Sequence, residues 1–265
     1  MTYNQYRRRW LRLHKAYEKR AFVIFRNSLR ESANRIPWEQ MDEYNYQTLI
    51  EYNINDDKIQ KAYFDTYFYV GLLHGNRVGK ELNKNIKAFI PEFFTETFRY
   101  FLKLFITDNL GQSITTVRQS FIVYLLEEIT KGMDNGLNIR QIARNMQRLV
   151  NSRNFYRWQA LRIARTETTT AANYAASIAG KETGLVLEKV WLSAQDDRTR
   201  RNPRDEYDHL NLNEVRVDED EAWDDNGTSL MYPGDPNADA GSRINCRCSM
   251  VQLAKLDSEG NIMFK

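Results

Sequence analysis

The spacing of apolar residues changes near Gly184, and this change constrains the fold more than any other feature of the sequence. Before Gly184, apolar residues recur mostly at intervals of three and four, which places their side chains on one face of a helix. After it, two segments alternate between apolar and polar residues, as strands do: VLEKVWLSAQDD and INCRCSMVQL. The sequence therefore predicts an α+β fold, mostly helical over the N-terminal two thirds, with a small C-terminal α+β domain that contains a short sheet. A third strand is expected near NIMFK at the C-terminus.

Proline and glycine residues divide the helical part. Pro37 and Pro91 are tolerated in a first helical turn but not inside a helix, and KGMDNGLN suits a turn. They separate the first helix from further helices, which we expect around residues 56–89, 91–130 and 138–149. We therefore expect a helical N-terminal region over residues 1–135 and a C-terminal domain over residues 136–265.

The segment RWQALRIARTETTTAANYAASIAGKETG predicts a helix with one face of small residues. This face consists of Ala164, Thr168, Ala171, Ala175 and Ala179. Small side chains let a helix lie very close against its neighbour. Gly180 and Gly184 are expected to end the helix. Arg165 and Glu167 are expected to lock it in place through charge-assisted hydrogen bonds.

The first helix is basic and amphipathic. The chain has a net charge of only +3, but residues 7–30 contain nine Lys and Arg residues against one Glu. We expect this helix either to present a solvated face or to dock on an anionic partner such as DNA, an acidic protein ring or another copy of the chain. Removal of residues 1–30 is then expected to leave a folded C-terminal domain. The candidate contact residues are Arg7, Arg8, Arg9, Trp10, Arg12, Lys15, Lys19 and Arg20.

Hydropathy argues against a membrane protein. The mean hydropathy is −0.66, and no apolar run approaches the roughly 20 residues that a membrane-spanning helix requires. The N-terminal segment MTYNQYRRRWLRLHK lacks the apolar stretch of a signal peptide. We therefore expect a water-soluble protein that works in the cytosol or in something assembled there.

The chain has two cysteines, Cys246 and Cys248, which are separated by one residue. A disulfide across so small a ring is strained, so we expect both thiols to be reduced. On a strand both side chains project to one side, while Arg247 faces away toward Asp196 or Asp197. The pair then either binds structural zinc, with His209 as a third ligand and an aspartate as a fourth, or is simply buried. The presence of only one ligand pair favours burial, and no cofactor is predicted.

An acidic loop offers an alternative function. It contains Asp196, Asp197, Asp205, Glu206, Asp208 and His209. These groups could bind a divalent metal ion for phosphodiester hydrolysis, which makes a metal-dependent nuclease the alternative function. Carboxylates in a loop are usually solvated, however, and no second histidine or lysine is placed to act as a base. The sequence therefore predicts no enzymatic activity, and the isolated His74 is expected to be structural.

Five segments occur in an order that resembles one family. They are ARTET, KVWLSAQDDRTR, His209 with Leu210, YPGD and INCRC. Together they resemble the Mu F-like minor head proteins of tailed bacteriophages, over roughly residues 136–251. The residues that carry the resemblance are Arg165, Glu167, Trp191, Asp197, Arg198, Thr199, His209, Cys246, Arg247 and Cys248.

The resemblance implies a structural minor head protein. Such a protein acts in procapsid assembly near the portal, with portal and capsid proteins as partners, several copies per assembly and non-specific contact with double-stranded DNA as a further expectation. It implies a location in the virion, in the head interior or near the portal, and in the host cytoplasm during assembly. The family has no established enzymatic activity in this domain, although some relatives carry fused toxin or enzyme modules.

Overall fold

A computed structural model describes residues 1–83 and 96–265 of the chain, except for the side chains of residues 96–98. The described residues are mostly helical up to Lys181 and mixed thereafter, which confirms the predicted α+β fold class. The helices are α1 (Tyr3–Ala33), α2 (Tyr46–Asn53), α3 (Asp56–Asn83), α4 (Glu96–Asn109), α5 (Gly111–Asp134), α6 (Ile139–Asn151), α7 (Arg157–Lys181) and α8 (Ala240–Arg243), with a 3-10 turn at Trp38–Gln40. The strands are β1 (Leu187–Leu192), β2 (Arg216–Asp218), β3 (Trp223–Asp225), β4 (Thr228–Leu230) and β5 (Ser249–Ala254).

The helix predicted over residues 91–130 is two helices within the described part of the chain. α4 ends at Asn109 and α5 begins at Gly111, with the buried Leu110 between them. Glycine is a poor helix former, which is consistent with a break at this position. The parts of the predicted helices that fall on residues 84–95 lie outside the described residues.

The helices α1, α3 and α7 pack against one another at the centre of the molecule. The small residues of α7 are buried, as their spacing predicted, and Thr168 is completely enclosed. Gly180 lies in the last turn of α7, one residue before its end at Lys181, and Gly184 follows with a positive φ of 68°. A Cβ at Gly180 would come within 2.2 Å of the Gln252 side-chain nitrogen. The helix therefore ends near these glycines as predicted, and close packing against β5 is a second reason for Gly180.

The aromatic side chains along one face of α1 are buried inside the molecule. Trp10, Tyr17 and Phe25 belong to the same buried cluster as residues of α3, α5, α6 and α7. His74 of α3 packs edge-to-face against Trp10 and Tyr17, and burial, with Arg77 and Arg9 nearby, lowers its pKa to about 3. The sequence-based expectation of a separable docking helix needs correction, because α1 is part of the core.

The main sheet has the strand order β2–β1–β5, with both pairs antiparallel. Val190 of β1 lies opposite Val251 of β5. A separate hairpin pairs β3 with β4. Instead of the third strand expected near NIMFK, this segment makes the isolated bridges Leu185 to Phe264 and Leu256 to Ile262.

The predicted strand through INCRC is wrong for its first half. The chain leaves α8 at Arg243, Asn245 has a positive φ of 62°, and β5 begins only at Ser249. The alternation of apolar and polar residues in the sequence does not correspond to burial here. Ile244, which was predicted to share a face with the cysteines, is 39% exposed, whereas both cysteines are buried. The two cysteines therefore precede the strand.

Within residues 1–83 and 96–265, no helix combines the length and apolar character that crossing a membrane requires.

Candidate functional site

A buried cluster brings together His209, Cys246 and Cys248. All three side chains are 2% exposed, and their potential ligand atoms lie within 4.8 Å of one another. Each cysteine Sγ is 3.6 Å from His209 Nδ1. The sequence predicted that the thiols share one side of the chain, and the structure places them at the same ring nitrogen.

The histidine ring is held from its other side. His209 Nε2 lies 3.0 Å from Asp225 Oδ2 at the end of β3 and 3.0 Å from Ser242 Oγ in α8. Ser242 Oγ also donates to Asp225 Oδ2 at 3.0 Å, and Asp225 Oδ1 accepts from the Asp208 amide at 2.8 Å. These bonds fix the ring so that Nδ1 faces the two sulfur atoms.

The electrostatics of the cluster favour charge on one cysteine. The hydrogen bond from Cys248 and the neighbouring His209 hold the pKa of Cys246 well below its usual value, whereas burial raises the pKa of Cys248. Burial opposes a charged ring at His209, but Cys246 and Asp225 outweigh it and raise the pKa of His209 to about 9. One thiolate beside a charged imidazole is therefore the favoured state of the isolated cluster.

Aromatic side chains form the walls of the cluster. Trp191 packs edge-to-face on His209, with ring centroids 5.2 Å apart, and Trp223 packs on Trp191 at 5.3 Å. Both tryptophans belong to a second buried cluster that includes the two cysteines and Met250. This apolar shell shields the sulfur atoms from bulk solvent.

Arg247 faces away from the cysteines on either side of it, as the sequence predicted. Its guanidinium donates to both carboxylate oxygens of Asp196, at 2.7 Å for the Nη2 bond. Asp196 also accepts from the Arg198 amide at 3.1 Å and from Thr199 Oγ1 at 3.2 Å. Asp197 and the Arg198 side chain are exposed. Of the two aspartates that the sequence offered as partners of Arg247, Asp196 anchors the cysteine turn and Asp197 does not.

Arg165 and Glu167 tie α7 to distant parts of the chain. Arg165 donates to the Glu18 carboxylate at 3.1 and 3.2 Å and to Asn245 Oδ1 at 3.1 Å. Glu167 accepts from Arg243 at 2.7 Å and from the Tyr67 hydroxyl at 2.7 Å. Their predicted role in locking the helix by charge-assisted hydrogen bonds is confirmed.

Sequence reasoning missed Asp225 and Ser242. Asn226 and Gly227 both have positive φ, and an Asn-Gly pair is the strongest short-range signal for a hairpin. That signal predicts the β3–β4 hairpin and places Asp225 at its tip. No local pattern marks Ser242, because it reaches His209 only through the fold.

The basic residues of α1 divide into two groups. Arg7 is buried and donates to the Ser193 carbonyl at 2.9 Å, and Trp10 Nε1 donates to the Arg247 carbonyl at 2.7 Å. Arg9 pairs with Glu81 of α3. Arg7, Trp10 and Arg9 are therefore bonded within the molecule. The set of candidate partner-contact residues on α1 is corrected to the exposed ones. The exposed residues are Arg8, Arg12, Lys15, Lys19 and Arg20.

The acidic loop does not form a metal cluster. Asp196 is paired with Arg247, and Asp205 Oδ2 lies 3.8 Å from Arg200 Nε. Asp208 accepts hydrogen bonds from the backbone amides of Asn202 and Asn211. In the part of the chain that the structure describes, the cysteine–histidine group alone brings three potential ligands together. The geometry therefore gives the nuclease alternative no support.

Comparison with known proteins finds a family match that spans this site. A family described as Phage Mu protein F like protein matches residues 124–251. An NAD(+)--arginine ADP-ribosyltransferase EFV from Enterococcus faecalis (strain ATCC 700802 / V583) is 31% identical over 152 residues, which are 55% of this chain and 26% of that protein. No solved structure matches the chain. The matched region contains the cysteine–histidine cluster and all of the motif residues named above. The family match thus covers the C-terminal half of the chain and agrees with the resemblance that the sequence motifs indicated.

Proposed function

We propose that this chain is a structural protein of bacteriophage head morphogenesis that acts in procapsid assembly near the portal. The family match over residues 124–251 carries this proposal, since the family suggests a phage head protein and a location in the virion. The matched stretch spans 26% of the enterococcal transferase, so we extend no transferase activity to this chain. Portal and capsid proteins are the partners that such a role requires.

We further propose that the protein contacts packaged DNA through a basic stripe on α1. We define this stripe as Arg8, Arg12, Lys15 and Lys19. At 3.6 residues per turn, the four positions fall within an arc of about 60°. All four are exposed, and none forms a salt bridge with the described residues. Four cations on one exposed arc suit the phosphates of a duplex, which require no base-specific contact.

A second basic surface lies where α7 meets the cysteine turn. Trp158 is 75% exposed, and the Arg157 guanidinium lies 6.0 Å from the centroid of its ring system. Arg162, Arg165 and Arg198 line the same depression of about 410 Å³. Because Arg165 is bonded to Glu18 of α1, this surface adjoins the first helix. The arginines of this surface add positive charge beside α1 for contact with duplex phosphates.

The DNA proposal is tested by measuring the affinity for a duplex fragment as a function of salt. We expect binding with little sequence preference. Changing Arg8, Arg12, Lys15 and Lys19 to Gln should reduce the slope of log K against log salt by about 3 to 4, because about 0.9 counterion is released per phosphate contact. The matched control changes four other exposed lysines to Gln: Lys61, Lys80, Lys103 and Lys131.

The control has the same net charge as the stripe variant but should keep most of the wild-type slope. Equal losses in both variants, or no binding by the wild type at low salt, would contradict the proposed stripe. The second result would leave an acidic protein surface as the partner of α1.

A further inference from the structure

We propose that His209 Nδ1, Cys246 Sγ and Cys248 Sγ bind one zinc ion. From sequence alone, plain burial of the cysteines was the favoured interpretation. The structure changes that balance, because the two thiols do not simply enter an apolar core. They converge on the same nitrogen of a buried histidine.

The distances fit a tetrahedral ion. Zinc binds sulfur at about 2.3 Å and imidazole nitrogen at about 2.0–2.1 Å, so tetrahedral geometry separates the two ligand atoms by about 3.5–3.6 Å. Both Sγ to Nδ1 distances are 3.6 Å. Neither sulfur–nitrogen distance would therefore have to change for one ion to bind His209 Nδ1 together with a cysteine Sγ, and the three atoms lie within 4.8 Å of one another.

The surroundings of His209 match those of a metal ligand. A ligating histidine usually gives its second ring nitrogen to a carboxylate, which fixes the ring and increases its basicity. Asp225 occupies this position at 3.0 Å and is itself held by the Asp208 amide and Ser242 Oγ. The Cys248 amide also donates to Cys246 Sγ at 3.4 Å, a contact that stabilises a thiolate. Plain burial requires neither arrangement.

The ion would have a structural role. It would join the loop that carries His209 to the turn before β5, two segments 37 residues apart that the main sheet does not hold together directly. Side chains of the described residues supply three ligands, and we assign the fourth position to water. The predicted fourth ligand, an aspartate, is replaced in this account by Asp225 acting on His209 Nε2. The full burial of the three ligands argues against a site that processes a substrate.

Metal analysis of the wild-type chain tests this proposal without any variant. The full chain is purified without chelator from cells grown with added zinc, and its metal content is measured by inductively coupled plasma mass spectrometry. We expect one zinc per chain. Replacement of zinc by Co²⁺ should then give the near-ultraviolet charge-transfer bands of thiolate ligands. A wild-type chain that is folded, holds no zinc and takes up no Co²⁺ would overturn the proposal.

Variants assign the ion to this cluster. Cys246→Ala together with Cys248→Ala should abolish zinc binding, and stoichiometric zinc in this double variant would place the ion elsewhere and refute the site. Because the double variant is expected to be unstable, Asp225→Asn provides a milder test. It should weaken zinc affinity by about 10- to 100-fold, as the loss of a carboxylate behind a histidine ligand does.

The matched control for Asp225→Asn is Asp235→Asn. Asp235 is another buried carboxylate, and it accepts from the amides of Met231 and Asn237 without contacting the cluster. Its replacement should leave zinc affinity unchanged. Equal zinc affinity in the Asp225 and Asp235 variants would contradict the role assigned to Asp225 and with it the geometry of the site.

Discussion

At the scale of single residues, buried charges on α7 are matched by residues far away in the sequence. Glu167 is 3% exposed and accepts from Arg243, which is also largely buried. A spacing pattern predicts that Glu167 is held by hydrogen bonds, but it cannot name a partner 76 residues away. Only the fold shows that Arg243 pairs with Glu167 and Asp225 with His209, because no local sequence pattern connects the members of either pair.

Replacement of Glu167 by Gln should destabilise the protein by about 3 kcal/mol, because it leaves the Arg243 guanidinium buried without a counter-charge. Urea unfolding followed by circular dichroism measures this change. The matched control is Asp65→Asn, which breaks the exposed pair of Lys61 and Asp65 on α3 and should cost less than about 1 kcal/mol. Similar losses of unfolding free energy in the two variants would show that the buried pair contributes no more to stability than the exposed pair.

At the scale of elements, long periodic segments were predictable and short ones were not. The helices α1 and α7 and the strand β1 were each predicted, because their apolar residues repeat often enough to distinguish a helix from a strand. The strands β2, β3 and β4 have three residues each, too few for alternation to be recognised. INCRC was misassigned for a related reason. Its five residues alternate between apolar and polar as a strand does, but they form the turn before β5.

The YPGD turn offers a test at this scale. Gly234 has a φ of 80°, its carbonyl accepts from Thr170 Oγ1 at 2.6 Å, and a Cβ there would lie 3.1 Å from the Thr170 amide nitrogen. Gly227 has a similar φ of 87° but open space around it. Gly227→Ala should therefore cost about 1–2 kcal/mol for the left-handed conformation alone.

Gly234→Ala should cost more than Gly227→Ala, because α7 lies against the turn and has to move. Thermal unfolding of both variants measures the difference. Equal destabilisation of the two would mean that the YPGD turn does not pack closely on α7.

At the scale of the whole molecule, α1 joins the N-terminal helices to the family region. It packs against α7, and Arg7 and Trp10 donate to carbonyls that follow β1 and precede β5. Composition alone could not predict this, because a basic amphipathic helix has the same pattern whether its apolar stripe faces its own core or a partner. The fold class was predictable; the position of the first helix in the core was not.

Deletion of residues 1–30 should therefore prevent cooperative folding, rather than leave an intact C-terminal domain. The deletion exposes the surfaces of α3 and α7 that Trp10, Tyr17 and Phe25 now cover. Circular dichroism melting and size-exclusion chromatography test this outcome, with the four-site Gln variant of the basic stripe as a folded control. A monomeric deletion variant with a sharp melting transition would contradict the assignment of α1 to the core.

The central claim, a structural role in the phage head near the portal, is tested most directly by cryo-electron microscopy of heads assembled with this chain. The account predicts density for the helical bundle inside the head beside the portal, with Arg8, Arg12, Lys15 and Lys19 directed toward the packaged DNA. Mass spectrometry of the same particles should detect the chain. Heads that assemble normally and contain none of it, or density confined to the outer capsid surface, would contradict the claim.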